Sequence, residues 1–163
     1  MSEHPEYTAT ILWERPEGAS FIDRRYTRDH AWSFDGLSVP ASASPFGVRP
    51  PLTSTDRIDP EEALVAALSS CHMLTFLWVA ARRGLVVDRY EDHAAGVLGK
   101  NAEGRIALVR AVLRPEVTFG ADAQVDAALL DELHEAAHRD CYIANSVKTE
   151  VAIEPRIAAA SAS

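Results

Sequence analysis

Residues 59–84 set the tightest limit on how this chain can fold. Asp59-Pro60-Glu61-Glu62 carries a full set of helix-start signals: Asp59 can cap, Pro60 suits the first helical position, and Glu62 stands at the capping-box spacing. An apolar-rich run from Ala63 to Ala81 follows, and Gly84, just behind Arg82 and Arg83, is a suitable left-handed stop. A helix from Pro60 to Arg83 spans roughly 36 Å at about 1.5 Å per residue. That is long for a chain of 163 residues, so the helix has to be central. By length alone the run could pass for a membrane span. Ser69, Ser70, Cys71, His72 and Thr75 lie within it and charged residues flank both ends, so a helix buried in a soluble protein is expected instead.

The segments around this helix read as an α+β domain of antiparallel strands packed around two central helices. Strands are expected at Tyr7 to Trp13, Phe21 to Tyr26 and Ala31 to Phe34, the last running into an Asp35-Gly36 turn. Pro40 to Asp56 is rich in Pro, Ser and Thr and reads as a long surface loop or lid. Beyond Gly84, strands fit Leu85 to Tyr90, Ala94 to Leu98 and Ile106 to Val117, with a hairpin turn at Asn101-Ala102-Glu103-Gly104. A second helix fits Asp122 to Arg139, Cys141 lies just past its end, and a last strand covers Ser146 to Ile153. One domain over residues 1–157 is expected, with a flexible tail at 158–163.

Charge and cysteine usage narrow the function. A net charge of −8 with no polybasic run disfavours nucleic acid and anionic membrane as partners. The first residues lack a basic stretch followed by an apolar one, so a cytoplasmic, reducing location is expected. Two cysteines there are core thiols, metal ligands or redox groups rather than a disulfide framework. Cys71 shares a helical face with Leu64, Ala67, Leu68, Leu74, Thr75 and Trp78, which should be buried. A buried free cysteine is ordinarily an inert small hydrophobe. Against that reading stand its polar neighbours Ser69, Ser70 and His72, and a second cysteine placed where a resolving thiol would be presented. Cys71 is too deep in its helix for the N-terminal dipole to activate it, so an activating cation must come from elsewhere.

The stretch Pro60-Glu61-Glu62-Ala63-Leu64 through Ser69-Ser70-Cys71-His72-Met73 resembles the Pro-Glu-x-x-Leu…Cys helix of the OsmC/Ohr family, the osmotically inducible and organic hydroperoxide resistance proteins. Ala137-His138-Arg139-Asp140-Cys141-Tyr142-Ile143-Ala144-Asn145-Ser146-Val147-Lys148 resembles that family's second-cysteine motif, and the likeness covers roughly residues 25 to 155. It implies an OsmC-like fold and a thiol peroxidase that reduces organic hydroperoxides without a cofactor. The residues implied are Cys71 as peroxidatic cysteine, Cys141 as resolving cysteine, Arg28 and Glu61. Arg28 is chosen because Thr27-Arg28-Asp29 followed by Asp35-Gly36 is similar to the family's Arg-Asp…Asp-Gly stretch, with Arg24 and Arg25 as competitors. A lipoyl-type or thioredoxin-type dithiol is the implied reductant. The chain departs from the family's pattern at Tyr26-Thr27 before the arginine, at His72 after the first cysteine and at Tyr142 after the second.

Helix arithmetic adds a constraint. Ten residues separate Glu61 from Cys71, roughly 15 Å along an unbroken helix and about 80° around it. Either the helix breaks, or Arg28 bridges the gap, or the Glu–Arg pair serves the cysteine of a second subunit. An intertwined homodimer is the expected solution for so long a helix in so short a chain. Two other readings stay open. His134-Glu135-Ala136-Ala137-His138 matches a zinc-peptidase pattern, with Cys141 three residues on and Cys71 as a possible fourth ligand. Otherwise His134 and His138 are half-exposed imidazoles near a helix C-terminus. The second is a redox sensor in which Cys71 oxidises without turnover. Pro45-Phe46-Gly47-Val48 with Met73 and Trp78 hints at an apolar pocket for alkyl or lipid hydroperoxides; core packing is the alternative for all of them and the simpler reading for Trp78.

Overall fold

The long helix forms with both ends closed by local chemistry. In a computed structural model, which describes residues 4–158, α1 spans Pro60–Arg82. The Asp59 amide donates to Glu62 Oε2 at 3.2 Å and the Glu62 amide donates to Asp59 Oδ1 at 2.8 Å, a reciprocal capping box. At the other end Gly84 takes φ 71°, and the Leu85 amide reaches back to the Ala80 carbonyl at 3.0 Å. That is the closure a glycine stop predicts.

The chain divides into two compact units, Met1–Ala63 and Leu64–Ser163. The first carries a three-stranded antiparallel sheet in the order β1 (Thr10–Leu12), β2 (His30–Phe34), β3 (Leu37–Ala41). Asp35 and Gly36 join β2 to β3 with φ of 21° and 90°, so the Asp-Gly pair supplies the positive-φ turn a two-residue hairpin needs. The strand expected at Phe21 to Tyr26 does not form. Arg24 takes φ 64° and its amide closes a turn on the Phe21 carbonyl, which stacks the Phe21 and Tyr26 rings 4.6 Å apart instead of alternating them. The long loop starts later than expected, because Pro40 and Ala41 still belong to β3. Asp29 organises that loop: its carboxylate accepts from Ser42 Oγ at 2.8 Å and Ser54 Oγ at 2.7 Å, and Arg57 lies 3.5 Å away.

The second unit builds two mixed sheets. β4 (Val87–Asp92), β7 (Pro115–Phe119) and β9 (Arg156–Ile157) form one; β5 (Ala95–Lys100), β6 (Ile106–Leu113) and β8 (Glu150–Ile153) form the other. β8 runs parallel to β6 and β9 parallel to β7, so the sheets are not purely antiparallel. The single strand expected from Ile106 to Val117 is cut at Arg114. There the amide leaves the ladder for Asp92 Oδ1, and Pro115 has no amide to offer, so the chain steps from one sheet to the other. The second helix, α2 (Ala127–Asp140), starts five residues later than expected because Asp126 caps it through the Leu129 amide at 2.8 Å. A short helix, α3 (Tyr142–Ser146), follows α2, and the last strand expected from Ser146 begins only at Glu150. The expected flexible tail lies outside the described residues apart from Ala158, whose amide donates to the Val117 carbonyl.

Phe76, Val79 and Ala80 of α1 pack with Val117 of β7 and Leu130, Leu133 and Ala137 of α2 to form the core of this unit. The buried face of α1 is therefore Leu68, His72, Phe76, Val79 and Ala80. Of the face expected to be buried around Cys71, Leu68 is, but Leu74 is 61% and Trp78 54% exposed. Close approach also occurs where α1 crosses β5. A Cβ at Gly96 would stand 2.7 Å from Val65 Cγ2 and 2.8 Å from Leu108 Cδ1. Valine is stiff at χ1 and yields poorly, so Gly96→Ala is expected to destabilise the fold by about 1–2 kcal/mol. A lowered urea midpoint with unchanged slope would register that effect.

Candidate active site

The fold brings the two thiols together. Cys71 is half-buried on α1, and Cys141 is buried at the corner between α2 and α3. The corner is what aims it. The Cys141 backbone is extended (φ −72°, ψ 114°), its amide closes α2 on the His138 carbonyl, and its Sγ caps α3 by accepting from the Ala144 amide at 3.5 Å. Asn145 braces the corner from below, its Nδ2 donating to the Arg139 and Cys141 carbonyls at 2.9 and 3.0 Å. In this position the Cys141 thiol lies close enough to the Cys71 thiol for the two to influence each other's charge.

The two sulfurs are not equivalent. Burial, opposed in part by the Ala144 amide and aided by the neighbouring Cys71, pushes the Cys141 thiol up to about 11. Cys141 thus stays protonated at neutral pH. Cys71 instead opens onto a cavity of about 890 Å³, walled by Ala67, Ser70, Leu74, Thr75 and Trp78 of α1 and by Asp140, Tyr142 and Asn145 of the corner. One thiol faces the space a small molecule can enter, and the other stands behind it.

The other expected site residues, Arg28 and Glu61, both belong to the first unit. Arg28 lies in the first unit, where its Nη1 donates to the Arg24 carbonyl at 3.0 Å and to the Tyr26 carbonyl, with the guanidinium 3.9 Å over the Tyr26 ring. It is half-buried, whereas Arg24 and Arg25 are exposed. Glu61 sits in the first turn of α1, and no hydrogen bond or ion pair joins it to Arg28 among the described residues. Because α1 is continuous, no helix break shortens the path from Glu61 to Cys71.

Among the described residues no group of three or more His, Cys, Asp and Glu side chains could hold a metal ion, so His134, His138 and Cys141 do not form a centre. His134 points into the core, where its Nδ1 meets His72 Nε2 at 2.9 Å, and Cys141 turns toward Cys71 instead. His134 is also not half-exposed or cationic: it is 2% exposed, and burial with repulsion from His72 lowers it to about 3. His72 is lowered to about 4 by burial and by His138. This histidine pair is what sequence reasoning missed. Its signal was present, since Leu68, His72 and Phe76 recur at steps of four on the buried face.

This combination of a long central helix, a half-buried thiol on it and a second thiol at a helical corner has a known parent. The OsmC-like protein family matches residues 53–156, and the chain belongs to that family. An OsmC-like protein of unknown function from Vibrio cholerae is 46% identical, with a TM-score of 0.91 over 93% of this chain and 99% of that one. More distant structures share the fold. An organic hydroperoxide resistance protein from Elizabethkingia anophelis matches at 17% identity and a TM-score of 0.69, over 98% and 100% of the two chains. The organic hydroperoxide resistance protein OhrB of Bacillus subtilis matches at 16% and 0.56, over 93% and 98%. No curated protein matches the chain.

Proposed function

We propose that this protein is a cytoplasmic, cysteine-based peroxidase that reduces organic hydroperoxides to alcohols. The observation that carries the reading is the contact between an accessible Cys71 and a buried, protonated Cys141. The Cys71 thiolate attacks one peroxide oxygen, the O–O bond breaks, and the other oxygen leaves as the alcohol, giving a sulfenic acid on Cys71. The Cys141 thiol then displaces the sulfenic hydroxyl as water and forms the Cys71–Cys141 disulfide. A lipoyl-type or thioredoxin-type dithiol returns both cysteines to thiols and is itself oxidised. The apolar wall of Leu74 and Trp78 suits alkyl or lipid hydroperoxides.

In this reading Arg28 leaves its local carbonyls to stabilise the Cys71 thiolate and polarise the peroxide, and Glu61 holds the guanidinium through a bidentate pair. The pair serves the cysteine of a second copy. The exposed apolar face of α1 at Leu74 and Trp78 supports a homodimer, since a second chain would cover it.

Counting free thiols before and after one equivalent of cumene hydroperoxide tests the reaction. Wild type is expected to lose two thiols, and Cys141→Ser to lose one and stop at a sulfenic acid that dimedone traps. Retention of both thiols in wild type would sink the proposal. Repeated consumption with added dihydrolipoamide separates a catalyst from a sensor that oxidises once.

A further inference from the structure

His72 and His134 join the two elements that carry the thiols. His72 follows Cys71 on α1, and His134 lies two turns ahead of Cys141 on α2. Both are buried, at 1% and 2% exposure. His72 Nε2 and His134 Nδ1 stand 2.9 Å apart with ring planes within 5° of each other. Phe76, one turn beyond His72, stacks on the His134 ring with centroids 4.3 Å apart.

Two neutral imidazoles in such contact share one proton, so one ring donates and the other accepts. Whichever donates, one outer nitrogen keeps an N–H and the other a lone pair. The outer atoms, His72 Nδ1 and His134 Nε2, have no hydrogen-bond partner among the described residues, and neither have His138 Nδ1 and Tyr90 Oη. A buried polar pair with open flanks contributes less stability than an apolar pair of equal volume. It does supply direction. Apolar packing of the kind Phe76, Val79 and Ala80 share with Leu130, Leu133 and Ala137 tolerates sliding and rotation, whereas one imidazole–imidazole bond fixes how α2 is turned and registered on α1. Cys141 follows α2 immediately, so its sulfur inherits that register.

We propose that His72 and His134 are positioning residues for exchange between Cys71 and Cys141: their hydrogen bond sets the register of α2 on α1 and so holds the Cys141 thiol against the Cys71 thiol. The proposal rests on the redox role assigned above to the two cysteines. It concerns formation of their disulfide, not attack on peroxide.

The test is therefore an equilibrium that needs no peroxide. Protein is incubated with mixtures of reduced and oxidised dithiothreitol, quenched by alkylation, and the Cys71–Cys141 disulfide is quantified by mass spectrometry. The two cysteine thiols lose two electrons and two protons, and oxidised dithiothreitol takes both up. His134→Leu is expected to lower the equilibrium constant for the protein disulfide about tenfold, the upper range for one buried hydrogen bond. His134→Asn, whose amide reaches the place of Nδ1, is expected to stay within about threefold of wild type. Melting temperatures are read on the same samples, because a merely structural pair would lower them without moving the constant. If His134→Leu does not fold, His72→Met fills a similar volume without a ring nitrogen and gives the same reading. Equal constants in wild type and the apolar variant overturn the proposal, as does a wild type that forms no disulfide in oxidised dithiothreitol. A wild type that closes the disulfide normally but consumes no hydroperoxide overturns the peroxidase reading alone.

Discussion

Chains carrying Cys71→Ser and chains carrying Glu61→Ala are each expected to lose hydroperoxide turnover, and refolding the two together is expected to restore about a quarter of it. The first loss is the larger. Serine keeps the shape of the site but is not a nucleophile at its ordinary pKa, so turnover should fall by at least about a thousandfold. Loss in Glu61→Ala is expected because an arginine without its carboxylate partner is no longer held in the orientation that stabilises a thiolate. Recovery follows from where these groups stand on α1. Glu61 is ten residues ahead of Cys71 on an unbroken helix, so it cannot reach the thiol of its own chain. In a mixed dimer the Glu61→Ala chain supplies Cys71 and the Cys71→Ser chain supplies Glu61, which completes one of two sites. Random pairing makes about half of the dimers mixed, so one site in four is whole. Initial rates of cumene hydroperoxide consumption with dihydrolipoamide measure the outcome. A mixture no more active than either parent removes the cross-subunit arrangement.

The elements read correctly from sequence are those with local causes. The start of α1 is set by Asp59 and Glu62 bonding each other, its end by Gly84, and the β2–β3 hairpin by Asp35-Gly36. Each signal lies within four residues of its effect. Two of the misread segments also involve partners further along the chain. Arg114 leaves its strand because Asp92 takes its amide, and Phe21 to Tyr26 curls because Trp13 packs on both rings. Nothing in either local pattern announces this.

The candidate site divides in the same way. The cysteine pair was legible through its motifs, and the structure brings the two thiols into contact. The face of α1 was not, because nearly every position from Ala63 to Ala81 is apolar and hydrophobicity cannot say which side turns inward. The core lies on the side of Leu68, His72 and Phe76, roughly one residue round from the side expected, and this leaves Trp78 in the open. A histidine in that buried line was a readable oddity, but its partner sixty-two residues away was not.

That buried pair should make the protein sensitive to mild acid. In the unfolded chain histidine binds a proton near pH 6.5, whereas in the fold His72 does so only near about 4 and His134 near about 3. Burial is the main cause for both, with charge repulsion from His138 added at His72 and from His72 at His134. At pH 7 the folded pair is neutral and the unfolded histidines are mostly so, and the pair contributes little pH dependence. Between pH 6.5 and pH 4 the unfolded chain binds more protons than the folded one, so stability falls as pH drops. By pH 5 the loss is about 2 kcal/mol for each histidine and at most about 4 kcal/mol for the two. That is a large share of the roughly 5–15 kcal/mol that holds a domain folded. The carboxylates Asp29 and Glu91 are lowered in the fold and stay ionised at pH 5, so their losses come at lower pH. Urea midpoints at pH 7, 6 and 5 separate the contributions. Wild type is expected to weaken steadily across that range, and a His72→Met/His134→Leu double variant to stay nearly flat. Parallel declines in the two proteins would mean that the pair is charged, or open to water, in the native state, and would remove the basis for treating it as a neutral bond in the core.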